Sequence, residues 1–547
     1  MRFGASAYKT FSKDTTMKKG TIMALGLGMA RGGSLRRGVA AVALAAGIMA
    51  GFGDRAMAAD AAAIGHDANG HDANLAKIKT VVVIYAENRG FDNLYGTFPG
   101  ANGIANAPPA SLAQVDRDGS VLKELPPIWK GLTARGVTPE VTQAQTEHLP
   151  NQPFAIDDPK GFNQGQGVIT RDLVHRFYEN QMQIDGGKND RFVAYADSGA
   201  LVMGHYDGSS QAMWTLARQY TLADNFFMGG FGGSFFNHIV LICACAPYYP
   251  HADQGPAKEQ ISVVNPDRVS LTLAANSPKS ALEGPPKFVN SGNLTPDFYA
   301  VNTMQPPYQP SGNKPAPGGD AALADPANPT TLPPQTMPNI GDLLSAKQVG
   351  WAWYGGAWQE TLDHGNASPV PNFQYHHQPF NYFATTAPGT QARKEHLRDG
   401  GLEGKAFIKD IDAGKLPAVT FYKPQGNLTQ HSGYADVASG DAHIADIVKH
   451  LQASPQWKNM LVVVTYDENG GYWDHVAPPK ADRWGPGTRI PAIIISPYAK
   501  KGYVDHTFYD TTSILRFITR RFDLPKLEAS SSATRPWPPT AARPWVT

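Results

Sequence analysis

Lys79-Thr-Val-Val-Val-Ile-Tyr-Ala86, followed at once by Glu87-Asn88-Arg89-Gly90-Phe91-Asp92, is the stretch that decides the fold. A continuous β-branched run of this kind belongs to a strand buried on both faces, as in a parallel sheet covered by helices. A second run of the same character, Met460-Leu-Val-Val-Val-Thr-Tyr466, leads into Asp467-Glu468-Asn469-Gly470-Gly471. Ile490–Ser496 supplies a third strand and Ala418–Tyr422 a weaker fourth. Helical periodicity covers Ala435–Leu451 before the second run and Tyr509–Phe522 after the third. Strands alternating with helices predict an α/β fold with a doubly wound, mostly parallel sheet between helices.

The expected organisation is one domain over residues 79–530, carrying an insertion at about 247–340. That insertion is rich in Pro, Asn, Gly and Ser, and reads as a long ordered loop or lid. A Pro-rich tail follows over 531–547. Hydrophobic residues make up 42% of the 547-residue chain, enough for a sizeable core, and the formal net charge is only +1. That balance excludes a disordered chain and offers no basic stripe for nucleic acid. Cys243 and Cys245 flank a single residue, where a bridge would close a strained ring, so two buried thiols are expected.

The first 58 residues read as an export signal. Arg36-Arg37 supplies the charged start, Gly38–Gly53 an apolar stretch short for a bilayer, and Ala56-Met57-Ala58 a cleavage pattern. The paired arginines suit a twin-arginine signal. A polar linker with a duplicated His-Asp-Ala-Asn follows over 59–78. No other apolar run reaches the ~18 residues of a membrane helix, so a soluble, periplasmic or secreted protein without a membrane span is expected after processing.

The chemistry gathers at strand ends. In open α/β sheets ligands bind at the carboxyl ends of the strands. Two strands ending in Glu87 and in Asp467-Glu468 would aim three carboxylates at one crevice. Each acidic pair alone also suits a helix cap, but together they call for a cation. An all-oxygen set favours one divalent ion such as Ca²⁺, Mg²⁺ or Mn²⁺, with Zn²⁺ or iron as the other candidates. Met228-Gly-Gly-Phe-Gly-Gly-Ser234 brings a serine to the start of an apolar helix, where backbone amides favour phosphate. There Ser234 is a candidate nucleophile or a simple cap. His148, His376, His377 and His431 are candidates for binding phosphate oxygens and protonating a leaving group, in their charged form at mildly acid pH. His238, His205, His396, His443 and His506 read as structural residues.

E-N-R-G-F-D-N-L-Y-G and T-Y-D-E-N-G-G-Y-W-D-H-V-A-P-P resemble the hallmarks of the bacterial phosphoesterase family. That family groups phospholipases C and acid phosphatases within the alkaline-phosphatase superfamily. The resemblance runs from about Val81 to Phe522. It implies that Ser234 forms a phosphoseryl intermediate and that Glu87, Asn88, Ser234, Asp467 and Glu468 hold one metal ion. It also implies that Asn88, His376, His377 and His431 bind the phosphate, joined by His148. Asp474 and His475 belong to the motif without an assigned role. Ser at the nucleophile position, and Asn469 where the phospholipase branch tends to carry His, lean toward the acid-phosphatase branch. The expected activity is therefore an exported acid phosphatase acting on small phosphomonoesters. The alternative is a phospholipase C acting on phosphatidylcholine-like head groups.

Overall fold

The computed structural model describes residues 74–365 and 373–527. The export signal, most of the 59–78 linker and the 531–547 tail lie outside them.

Among the described residues the central sheet has eight strands. In chain order these are β1 (Thr80–Ala86), β2 (Thr221–Ala223), β3 (Trp351–Gly356), β4 (Leu397–Gly401), β5 (Val419–Lys423), β6 (Met460–Tyr466), β7 (Ala492–Ile495) and β8 (Tyr503–Asp505). Across the sheet they lie in the order β8-β2-β7-β6-β1-β5-β3-β4. The first apolar run thus becomes a central strand, with Val81 opposite Val419 on one side and Leu461 on the other, both parallel. Every residue of β1 and β6 is buried, as unbroken apolar runs require. β7 runs antiparallel to both β6 and β2, which makes the sheet mixed. An apolar run carries no mark of its direction.

The helices that matter for the site are α1 (Phe91–Tyr95), α2 (Phe177–Ile184), α3 (Ala212–Gln219), α4 (Ser234–Cys243), α5 (Lys405–Asp412), α6 (Val437–Ala453) and α7 (Thr511–Arg521). α6 and α7 each start two residues later than the periodicity predicts. Asp436 and Asp510 set those starts, because their carboxylates accept the amides of Ser439 and Ser513.

The Pro-rich middle contains short 3-10 turns, such as Ala252–Gln254 and Pro256–Gln260, and isolated bridges. Backbone without ladders still needs hydrogen-bond partners. Two arginines supply them. Arg117 donates to the carbonyls of Pro278, Ser280 and Gly284 at 2.7–2.9 Å, and Arg176 to those of Ser291 and Gly292 at 2.7 and 2.9 Å.

The cysteines correct the expectation of two thiols. Cys243 and Cys245 form a disulfide, with Cα atoms 5.1 Å apart. α4 ends at Cys243, and Ala244 takes a left-handed conformation (φ 50°, ψ 37°) that turns the chain back and brings the sulfurs together.

Trp353 of β3 links the core to the site. It is fully buried, stacks on Phe421 with centroids 5.4 Å apart, and donates its indole N–H to the carbonyl of His377 at 2.7 Å. Trp353→Phe is expected to lower stability by about 1–3 kcal/mol, from the orphaned carbonyl and lost contacts. Urea unfolding checks this; an unchanged midpoint would show that the carbonyl finds another partner.

Candidate active site

The ends of β1 and β6 place Glu87, Asp467 and Glu468 side by side, all completely buried. Asp467 Oδ1 accepts the backbone amides of Asn88 (3.0 Å) and Glu468 (2.8 Å), which ties the two strand ends together. Its Oδ2 has no hydrogen-bond partner among the described residues. Glu468 Oε2 accepts the amide of Gly470 at 2.5 Å. Glu87 is held differently: Oε1 lies 2.6 Å from His377 Nε2, and Oε2 accepts the Tyr434 hydroxyl at 3.1 Å. Lys423, at the end of β5, lies 3.4 Å from Glu87 Oε1 and 4.0 Å from Asp467 Oδ2.

Burial pushes Asp467 up to about 6, Lys423 opposing and Glu87 adding to the rise. Burial pushes Glu468 up to about 8, with His175 opposing and Asp467 adding. Glu87 goes the other way. Burial would raise it, but His377 and Lys423 outweigh that and hold it well below the usual carboxylate range.

Ser234 is the first residue of α4, at the end of the glycine-rich loop. Asn237 staples that loop: its side chain accepts the amide of Gly230 at 2.9 Å and donates to the carbonyls of Gly230 and Gly233. Gly232 has φ +85°, and a Cβ there would meet the Phe177 nitrogen at 2.5 Å, so no other residue fits. The Ser234 hydroxyl donates to Asn88 Oδ1 at 3.1 Å and lies 3.4 Å from Glu468 Oε1. Asn88 itself takes a left-handed backbone conformation, φ 60°. Such strain in a non-glycine residue needs firm support from its surroundings, and here it turns the Asn88 amide onto Asp467.

The structure brings His376, His377 and His431 to this cluster and leaves His148 outside it. The His148 side chain is 79% exposed and pairs with Glu124 at 3.0 Å. A 3-10 segment, Gln143–Thr146, and a left-handed backbone at His148 turn it to the surface. His175 stands at the cluster instead. Its Nδ1 lies 2.6 Å from the Leu173 carbonyl, and its Nε2 is 3.2 Å from Asn88 Nδ2 and 3.9 Å from Glu468 Oε1. Its ring meets His431 edge-on at 5.6 Å, and His431 in turn stacks on Tyr434 at 4.3 Å. His238, one helical turn after Ser234, is also recruited: Nδ1 lies 2.7 Å from the Ser234 carbonyl, and the ring contacts His376 and His377.

The charge states differ from the expectation of protonated histidines. Burial lowers His376 well below its ordinary value, takes His377 down to about 4, and lowers His431. His175 is the exception. Burial opposes its charge, but Glu468 and Asp172 push it up to about 9. His175 is thus the one histidine of this cluster whose charged form its neighbours favour.

Asp474 and His475 gain a role. His475 Nδ1 lies 2.6 Å from Asp92 Oδ2, and the buried Arg489 reaches Asp92 Oδ1 at 3.1 Å and Asp474 Oδ1 at 2.9 Å. This closed network pins the loop after β1 to the loop after β6. Asn469 is spent on its own turn, bonding the Tyr472 carbonyl and the Thr488 hydroxyl and accepting the Gly471 amide. Its identity therefore reports turn geometry and says nothing about the substrate.

A divalent ion fits this donor set. Asn88, Ser234 and Glu468 turn oxygens toward one another, and Asp467 has an oxygen without a partner, as hard cations require. Glu87 turns its oxygens to His377 and Tyr434, and lies beside Asp467 across Lys423. Three groups of side chains among the described residues place ligand atoms within 4.8 Å of one another: Glu87 with His376 and His377, Asp172 with His175 and His431, and Asp92 with Asp474 and His475. At pH 7 Glu468, pushed up to about 8, holds a proton that a cation must displace. Mn²⁺ affinity is therefore expected to rise from pH 6 to pH 8, by about tenfold per pH unit for one displaced proton. Calorimetric titration at several pH values tests this; an affinity independent of pH would contradict it.

The chain is similar to known proteins over most of its length. Phospholipase C A of Mycobacterium tuberculosis is 24% identical over 487 residues, covering 83% of this chain and 74% of that protein. Non-hemolytic phospholipase C of Pseudomonas aeruginosa is 22% identical over 494 residues, covering 84% of this chain. The match spans only 56% of the Pseudomonas protein's length. Among solved structures, a protein in the alkaline phosphatase superfamily from Vibrio parahaemolyticus is similar at 11% identity and a TM-score of 0.29, covering 58% of this chain and 61% of that one. A family model described as the Phosphoesterase family matches residues 78–525, which takes in the whole sheet and every residue of the cluster. The chain belongs to the Phosphoesterase family.

Proposed function

We propose that this chain hydrolyses phosphate esters through Ser234, and that its substrates are phospholipid head groups, as for a phospholipase C. The observation that carries the mechanism is the Ser234 hydroxyl, 3.1 Å from Asn88 Oδ1 and 3.4 Å from Glu468 Oε1 at the start of α4. The names of the relatives support the substrate class, since both are phospholipases C. They favour the diester over the monoester that the sequence suggested. With Asn469 committed to its turn, the lean toward acid phosphatase rests on serine at the nucleophile position alone.

Glu87, Asn88, Ser234, Asp467 and Glu468 would hold one divalent cation. When bound, that ion supplies charge that favours the serine alkoxide and the phosphoryl oxygens. Asn88 orients the Ser234 hydroxyl. Ser234, its proton lost to solvent as the alkoxide forms, attacks phosphorus, and the bond to the diacylglycerol oxygen breaks, leaving phosphorylcholine esterified to the serine. His175, cationic and at the rim, donates the proton that the leaving oxygen needs. It then takes a proton from the water that attacks phosphorus and frees the serine. Amides of the first turn of α4 face the phosphoryl oxygens. His376, His377 and His431, their charged forms disfavoured by burial, line the site, and His377 holds Glu87.

The disulfide between Cys243 and Cys245 supports a location in an oxidising compartment, in line with export. No helix among the described residues is long and apolar enough to cross a membrane.

Hydrolysis of p-nitrophenylphosphorylcholine and of p-nitrophenyl phosphate tests the reading. The diester is expected to be the better substrate, and Ser234→Ala to lower turnover by about 10³-fold or more at unchanged fold. Turnover confined to the monoester would return the chain to the acid phosphatases. Activity retained in Ser234→Ala would reject the serine as nucleophile.

A further inference from the structure

Lys423 takes no part in the reaction steps above, yet it lies between two of the carboxylates, Glu87 and Asp467. It closes β5, beside β1, and its side chain is completely buried. Among the described residues its ammonium has no hydrogen-bond partner. Charge-assisted N–H···O bonds span about 2.7–2.9 Å, and the distances of 3.4 Å to Glu87 and 4.0 Å to Asp467 exceed that. The ring of Tyr85 has its centroid 5.6 Å from Nζ, and His238, His376 and His377 also lie within reach of its charge. The ammonium thus balances two carboxylates without bonding closely to either. Burying such a charge costs several kcal/mol unless opposite charges compensate, so packing alone does not explain a lysine here.

We propose that Lys423 is the second cation of the site, a tethered ammonium standing where two-metal phosphoryl-transfer sites place one of their ions, so that this chain takes up a single divalent ion. The proposal rests on the metal reading above. Paired metal ions in such sites lie about 3.5–4 Å apart and clamp one reacting centre from two sides. Glu87, Asp467 and Glu468 contribute three negative charges. One divalent ion and one ammonium balance them, and a second divalent ion beside the ammonium would leave an excess of positive charge. Asp467 Oδ1 is fixed by the Asn88 and Glu468 amides, so its unpartnered Oδ2, 4.0 Å from Lys423, is the oxygen that both cations would share. A cation carried on a strand cannot be chelated or diluted away. It also keeps Glu87 and Asp467 in place before the metal arrives.

Equilibrium dialysis of the metal-stripped full chain against saturating Mn²⁺, with the bound metal counted by elemental analysis, tests this. Wild type is expected to bind one Mn²⁺ per chain and Lys423→Met two, with circular dichroism confirming that both are folded. One ion in each, at equal affinity, would overturn the role of Lys423 while leaving the metal site standing. Two ions in wild type would overturn the proposal without any variant. No ion in wild type would overturn it together with the metal reading itself. Where Lys423→Met fails to fold, the same count on Lys423→Gln decides.

Discussion

Three carboxylates that cannot tolerate one another's charge unaided govern this end of the molecule. Glu87, Asp467 and Glu468 are fully buried at the ends of two neighbouring parallel strands. In a low-dielectric crevice such groups must be protonated, paired or bound to a cation. Two of these solutions are met by the protein itself, and the third carboxylate is left for a cation. Glu468 is pushed up to about 8 and so retains a proton in the absence of metal. Glu87 is kept ionised by His377 and Lys423. Asp467 divides its oxygens between backbone amides and an unpartnered position. The nucleophile is placed by the same charges, because Ser234 reaches this cluster through Asn88 and Glu468.

Holding those groups in place takes rigid loops, and the arginines provide them. Arg489 joins Asp92 to Asp474, while Arg89 donates to the Gln430 carbonyl at 2.9 Å and to the Tyr472 hydroxyl at 3.0 Å. The loops after β1, β5 and β6 are thereby fastened to one another. That fastening supports the left-handed Asn88 and leaves its side chain free for Ser234. Gly470 belongs to the same arrangement. A Cβ at this position would lie 2.1 Å from the Asn88 carbonyl, so the glycine lets the two strand ends close.

Much of this was legible in the sequence, for reasons that also mark the limits. Buried parallel strands must be apolar throughout, so β1 and β6 stood out, and the rule that ligands sit at their carboxyl ends found Glu87, Asp467 and Glu468. The same rule applied to the weaker strand ending beside Lys423 would have found the lysine. β3 and β4, written WAWYGG and LRDGG, carry no unbroken β-branched run and depend on their neighbours for pairing. His175 had no local signal, because a loop set by tertiary contacts brings it to Asn88, whereas His148 in a similar setting turns outward. His238 had one, being four residues after Ser234 on an apolar helix. Protonation was misjudged for His376, His377 and His431 because burial, invisible in sequence, outweighs the nearby carboxylate. The disulfide was missed because a single left-handed residue, Ala244, decides whether Cys243 and Cys245 meet.

In the proposed mechanism Ser234 becomes bonded to the substrate's phosphorus. Acid quenching during turnover of a phosphorylcholine diester, followed by proteolysis and mass spectrometry, tests it directly. The account predicts a phosphorylcholine adduct on the peptide containing Ser234, present during turnover and gone once substrate is exhausted. An adduct on another residue, or steady turnover with Ser234 unmodified at every quench time, would contradict it.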